Sequence, residues 1–333
     1  MVSKHIPEHD RPLVTFALFA YNQEKFIREA VEGAFAQTYE PLEIILSDDC
    51  STDRTFEIMQ EMAAAYEGPH RVIIRRNSEN LGLMLHLQTV VELASGDFIV
   101  LAAGDDISFS NRVAAVCAVV EKDPETMAVF SEYEEFFEEE VPKIENSVQK
   151  ASIKSYSLFE MLMNGGGVGI GATYAYDKKC FTWPDNLPVD IVSEDRILPL
   201  RAAFLGRVYK IEAPLIHYRQ VAGSVGEVHG DRGMLGYNHP DHWQIVSKTI
   251  SSALKDGIGG RSRAILLKVA ISLRKLTHSS SRMNAEKAGV VEKSVRAILF
   301  IPLRLIRRIQ KRHVFVIYID KEVHNSIVRE VCD

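Results

Sequence analysis

The sequence predicts an α/β protein: an open, mainly parallel sheet with helices on both faces, followed by a helical C-terminal region. Three observations lead there. Apolar, β-branched runs recur from residue 13 to residue 103 without polar alternation, as in strands covered on both faces. Between them, apolar residues repeat at helical spacing. The order strand, helix, strand, helix then calls for right-handed crossovers and a doubly wound sheet.

The first strand is "LVTFALF", after which Phe26, Ile27, Ala30, Val31, Ala34 and Phe35 share one helical face. "LEIILS" and "RVIIR" supply the second and third strands. Leu83, Leu87, Val90, Val91 and Ala94 mark another helix, and "DFIVLAA" is the fourth strand. A helix over 112–122, the strand "MAVFSEY", an acidic run from Glu132 to Glu140 and a short helix near 159–163 follow. The acidic run reads as a solvated edge or loop. A helix starting near Glu194 and a strand ending in "APLIHYR" close this part. We expect a domain over residues 1–225 and a mainly helical region over 226–333.

Composition narrows the function. The 333 residues allow a large core, with 46% hydrophobic and 25% charged residues. A net charge of −6 argues against general affinity for nucleic acid. Cys50, Cys117, Cys180 and Cys332 lie far apart, which suggests neither a zinc site nor a disulfide framework. "MVSKHIPEHDRP" has no apolar signal core, and no apolar run is long enough to cross a bilayer, so a cytoplasmic location is expected.

Ligands of open α/β sheets bind at the carboxyl ends of the strands. Polar residues collect there: Tyr21 and Asn22 after the first strand, Asp48 and Asp49 after the second, Asn80 and Gly82 after the third, Asp105 and Asp106 after the fourth. Asp53 reads as the cap of the next helix. Clustered carboxylates repel unless a cation or donor separates them, and Mg²⁺ or Mn²⁺ takes one or two carboxylates plus substrate phosphates. The pairs therefore suggest a pocket for a metal-bound nucleotide diphosphate. Glu194 and Asp195 in "SEDR" fit either a helix-start carboxylate favoured by the dipole or a general base.

"VTFALFAYNQEKFIREAVEGAFAQTYEPLEIILSDDCSTDRTFEIM" closely resembles the opening of the inverting family 2 glycosyltransferases. "NSENLG", "ASGDFIVLAAGDD" and "SEDRILPLRAAFLGRVYKIEAPLIHYR" continue the resemblance in the family's order, over roughly residues 12–225. It implies a Rossmann-like GT-A fold, a nucleotide-sugar donor and transfer with inversion. By motif, Asp48 or Asp49 would hold the nucleobase, with Ala20, Tyr21, Asn22 and Asn80 lining the nucleoside pocket. Gly82, Gly104 and Asp106 would complete the nucleotide site. Asp105 would bind Mn²⁺ or Mg²⁺, and Asp195 would be the catalytic base. Gly169, Gly171 and Glu194 would border the donor sugar or acceptor. The chain departs from the family pattern at Ala103, where the first aspartate of Asp-x-Asp usually stands, and at Val221, where a histidine is usual.

"GVGIGA" loosely fits a dinucleotide fingerprint, but a helix precedes it and a strand-like segment follows, the reverse of that motif's setting. "VRAILFIPLRLIRRIQKR" is basic and amphipathic, suited to an anionic membrane or to packing on the domain. The resemblance thus implies a saccharide or lipid-linked saccharide acceptor, with a sugar nucleotidyltransferase or a non-catalytic nucleotide-sugar binding module as alternatives.

Overall fold

The computed structural model describes residues 11–137, 141–144, 151–163, 168–183, 186–187 and 194–220. The expected boundary at residue 225, the helical region beyond it and its basic segment lie outside the described residues.

The chain opens with β1 (Val14–Ala20), α1 (Ile27–Phe35), β2 (Leu42–Asp48), α2 (Thr55–Ala64), β3 (Arg71–Arg76), α3 (Leu83–Leu93) and β4 (Phe98–Ala103). β1 pairs in parallel with both β2 and β4, and β2 with β3. Both faces are covered, as the unbroken apolar runs require: Ile44, Ile45 and Leu46 are all fully buried. Val14, Phe16 and Leu18 pack with α1 residues Ile27, Ala30 and Val31. On the opposite face, Phe19 meets the α3 side chain of His86 edge to face. Each such buried aliphatic or aromatic side chain contributes about 1.5–3 kcal/mol.

Beyond β4 come β5 (Ile107–Ser108), α4 (Arg112–Lys122), β6 (Thr126–Phe137), β7 (Ile153–Tyr156), α5 (Leu158–Met163), a 3₁₀ turn at Gly171–Thr173, β8 (Ala175–Asp177), α6 (Lys179–Thr182), α7 (Glu194–Leu205) and β9 (Arg207–Gln220). The path through the sheet is β3-β2-β1-β4-β8-β6-β9-β5, with β7 on β9. Only the first half is purely parallel. β8 runs antiparallel to β4 and β6, and β5 and β7 run antiparallel to β9. β8 is entered from a 3₁₀ turn and not from a long crossover helix, so nothing returns the chain to the parallel direction. β9 carries Pro214 opposite Glu132, where the register against β6 slips, a position that does not need its missing N–H.

Candidate active site

The strand order reverses between β1 and β4, which opens a crevice beyond their carboxyl ends. After Ala20, Tyr21 is 44% exposed. Asn22 turns the chain at φ 52°, a left-handed conformation that asparagine tolerates. Its N–H donates to Ser51 Oγ (2.9 Å), its Oδ1 accepts from the Thr52 N–H (2.8 Å), and the Gln23 N–H donates to Thr55 Oγ1 (2.7 Å). These bonds bolt the turn after β1 to the turn after β2. Asp53 accepts from the Thr55 N–H at 2.9 Å, as expected of a residue at a helix start.

The structure gives the two adjacent aspartates different partners. Asp48 is 0% exposed and accepts from the Ser51 N–H and Ser51 Oγ, while Arg76 Nε lies 3.2 Å away. Its charge is compensated inside the turn by Ser51 and Arg76. Asp49 is 4% exposed and accepts from Asn77 Nδ2 (2.6 Å), the Leu81 N–H (2.9 Å) and the Gly82 N–H (3.0 Å). It therefore organises the loop after β3, where Asn80 Oδ1 accepts from the same Gly82 N–H and Gly82 turns at φ 72°. Behind Asp49 stands His86, with Nδ1 4.0 Å away and Nε2 2.6 Å from Ser47 Oγ. Burial pushes the His86 pKa down to about 4; Asp49 partly opposes this and Arg75 adds to it. The ring is neutral at pH 7.

The turn after β4 comes close to the turn after β1. A methyl group on Gly104 would overlap Gln23 Oε1 and stand 3.1 Å from both Ala20 Cβ and Ile27 Cδ1, so Gly104 lies directly against the turn after β1. Asp105 is half-buried and takes a hydrogen bond from the Gln23 side chain. Buried Asp106 accepts the Arg219 N–H through Oδ1 at 2.9 Å, and Arg219 Nε donates to the Asp105 carbonyl at 2.8 Å. Burial raises the pKa of Asp105; burial and then the neighbouring Asp105 charge push that of Asp106 well up.

Such a pair favours an arriving cation. The buried Asp106 Oδ2 has no hydrogen-bond partner among the described residues. The described residues contain no group of three or more His, Cys, Asp or Glu that could hold a metal. Asp105 beside the partnerless Asp106 Oδ2 is a donor set that can hold Mg²⁺ or Mn²⁺ only with phosphate and water in the remaining positions.

Arg112 ties this turn to the far side of the crevice. It is fully buried, and its guanidinium donates to Ser108 Oγ (2.9 Å), the Leu101 carbonyl (2.8 Å) and the Ala172 carbonyl (2.6 Å). Burial drives its pKa down to about 9 against the opposing charge of Asp106. Next to Ala172, a methyl on Gly171 would overlap Glu194 Oε1 and lie 3.8 Å from Asp195 Cβ. Gly171 and the first turn of α7 are therefore neighbours, which sets Glu194 and Asp195 beside the 3₁₀ turn. Gly169 is needed for another reason: a methyl there would lie 2.8 Å from Phe130 Cδ2 and 3.0 Å from Tyr174 Cε2.

His217, four residues before Val221, is a core residue packed 4.4 Å from the Phe109 ring with Glu134 3.5 Å away. His229 and Val221 lie outside the described residues. Sequence reasoning missed Gln23, Arg76, His86, Arg112 and Arg219. Only Gln23 and Arg219 had a signal, since they adjoin the Tyr-Asn and His-Tyr motifs.

The sequence pattern of the family described as "Glycosyl transferase family 2" matches residues 15–181. Alignments with curated relatives reach 37% identity but span less than half of their length, 32% in that case. One relative is the Escherichia coli protein WfaP, a UDP-Glc:alpha-D-GlcNAc-diphosphoundecaprenol beta-1,3-glucosyltransferase. It is 29% identical over 38% of this chain and 46% of its own. Among solved structures, S. aureus TarS in complex with UDP-GlcNAc superposes with a TM-score of 0.58 at 15% identity, over 80% of this chain and 72% of that one. The mannosyltransferase PcManGT from Pyrobaculum calidifontis, in complex with GDP-Man and Mn²⁺, reaches 0.51 at 17% identity, over 91% and 85%. These two likenesses concern the fold, which is that of the GT-A transferases. With the family pattern covering half the chain and the strand-end rim assembled in that fold, the chain belongs to glycosyl transferase family 2.

Proposed function

We propose that the chain is an inverting, metal-assisted glycosyltransferase. It moves a sugar from a nucleotide-sugar donor, a UDP-sugar first and a dTDP-sugar next, to a saccharide or lipid-linked saccharide acceptor in cell-surface polysaccharide synthesis. The observation that supports this reading is that the turns at the strand ends lie against one another. Gln23 joins the turn after β1 to Asp105, and Arg112 joins the end of β4 to Ala172 beside Gly171, against which Glu194 packs. The same frame, in this reading, holds the nucleotide, the diphosphate and the acceptor.

In this reading the base rests against exposed Tyr21 and the Asp49-ordered loop containing Asn80 and Gly82. Asp105 would hold a Mn²⁺ or Mg²⁺ ion, which would supply positive charge to the leaving diphosphate. Asp195 takes the proton from an acceptor hydroxyl while that oxygen attacks the anomeric carbon from the face opposite the diphosphate. The carbon–oxygen bond to phosphate breaks, the nucleoside diphosphate departs, and configuration inverts. Glu194, Gly169 and Gly171 border the sugar and acceptor. Support for UDP and for a lipid-linked acceptor comes from the name of WfaP; GDP-Man in PcManGT supports testing the base directly. The basic segment around residues 295–312 supports contact with an anionic membrane, which flotation of full-length and truncated chains on anionic liposomes tests.

Asp195→Asn is the test. General base assistance contributes about 10²–10⁴ in rate. Transfer from UDP-sugars should fall by about that factor, with UDP affinity kept within roughly twofold. Wild-type-like turnover in this variant removes Asp195 from the mechanism.

A further inference from the structure

Arg219 takes no part in the transfer steps above, yet its side chain is among the most constrained at the rim. The residue is 3% exposed. Its guanidinium carbon lies 4.7 Å from the ring centre of Phe26 and 4.4 Å from that of Phe136, a planar cation between two aromatic faces. Side chain and backbone grip successive residues of one turn: Nε donates to the Asp105 carbonyl at 2.8 Å, and the Arg219 N–H donates to Asp106 Oδ1 at 2.9 Å.

The parts that meet here come from distant segments. Phe26 immediately precedes α1, and its N–H donates to the Gln23 carbonyl at 2.9 Å, closing the turn whose Gln23 side chain reaches Asp105. Phe136 comes from the far end of β6, and Arg219 from the far end of β9. Fixing the Asp105 carbonyl holds one of the two peptide planes that meet at the Asp105 Cα, and so restrains the direction in which the Cα–Cβ bond projects the carboxylate. Burying a guanidinium is costly unless it is paired and bonded. A scaffold that needed only bulk between two rings would be served by methionine or leucine.

We propose that Arg219 is a positioning residue: clamped between Phe26 and Phe136, it aims the Asp105 carboxylate at the cation-bound diphosphate of the donor. The role rests on the glycosyltransferase reading of the rim. Lysine keeps the charge but has neither the Nε–H nor the planar group, so Arg219→Lys isolates aim from charge.

The experiment is calorimetric titration of full-length wild type and Arg219→Lys with UDP, with and without Mn²⁺, and with uridine, which has no phosphates. The Mn²⁺-dependent gain in UDP affinity should shrink by about tenfold in the variant, while uridine affinity stays within roughly twofold. Transfer kcat should fall with little change in acceptor KM. Phe136→Leu removes one ring and keeps both bonds; it should show the same pattern, weaker, and serves if Arg219→Lys does not fold. An undiminished Mn²⁺ gain in a folded variant overturns the role of Arg219 alone. Parallel loss of uridine and Mn²⁺-dependent binding, or failure of both variants to fold, makes Arg219 a scaffold residue and overturns the proposal. A wild-type chain whose UDP affinity ignores Mn²⁺ overturns the metal-assisted reading itself, and the positioning role with it.

Discussion

Gly171→Ala separates stability from catalysis at this site. The added methyl would overlap Glu194 Oε1 and stand 3.1 Å from Glu194 Cδ, closer than the 3.4 Å at which ordinary van der Waals contact begins. Gly171 does not occupy the left-handed region, so the perturbation is steric alone. What must yield is the end of a flexible carboxylate side chain, which is cheap for the fold: about 1 kcal/mol, or about 2–4 °C in Tm for a domain of this size. It is expensive for the chemistry, because Glu194 adjoins Asp195 and a displacement of about 1 Å costs about 10² in rate. Gly169→Ala is the comparison for stability: its methyl meets the rigid rings of Phe130 and Tyr174, so it should lose about 1–3 kcal/mol, more than Gly171→Ala. Transfer kcat and calorimetric Tm of the two variants are the assay. A Gly171→Ala protein with wild-type kcat refutes the placement of Glu194 and Asp195 at the reacting centre.

Asp48→Ala removes the acceptor of the Ser51 N–H and the partner of Arg76. It should cost about 2–3 kcal/mol in urea denaturation and leave UDP affinity of the folded protein unchanged; unchanged stability with lost affinity would return Asp48 to the base pocket. The pKa of His86, about 4 in the folded state, lies below its unfolded value near 6.5, so the fold favours the neutral ring. That stability is present above pH 6.5 and is lost as pH falls towards 4, up to about 3 kcal/mol. Subtracting the profile of His86→Gln from that of wild type cancels the carboxylates; parallel profiles would contradict a buried neutral His86.

β1, β2 and β4 were legible because their residues are buried on both faces, and β3, an edge strand only partly buried, because "RVIIR" is rich in β-branched residues. The rim was legible as a place for the same reason: strand ends follow from strands. What each carboxylate does was not. Asp48 and Asp49 are chemically identical neighbours, and alternation along the chain end sends one into its own turn with Ser51 and Arg76, the other towards the loop at Leu81 and Gly82. β5, only Ile107 and Ser108, carries too little pattern to announce a strand. The antiparallel return of β8 depends on the 3₁₀ turn before it and not on its own composition. Arg112 and Arg219 escaped notice because an arginine in sequence reads as surface, and only the fold reveals carbonyls and rings waiting for it.

The central claim is that one rim grips a nucleoside diphosphate through a cation held at Asp105. The direct test is titration of UDP, dTDP and GDP into the wild-type chain and into Asp105→Asn, each with and without Mn²⁺. The account predicts that UDP binds tightest, that Mn²⁺ strengthens its binding by about tenfold or more, and that Asp105→Asn abolishes the strengthening while residual metal-free binding persists. Nucleotide affinity that is absent, or equally strengthened by Mn²⁺ in Asp105→Asn, would contradict it.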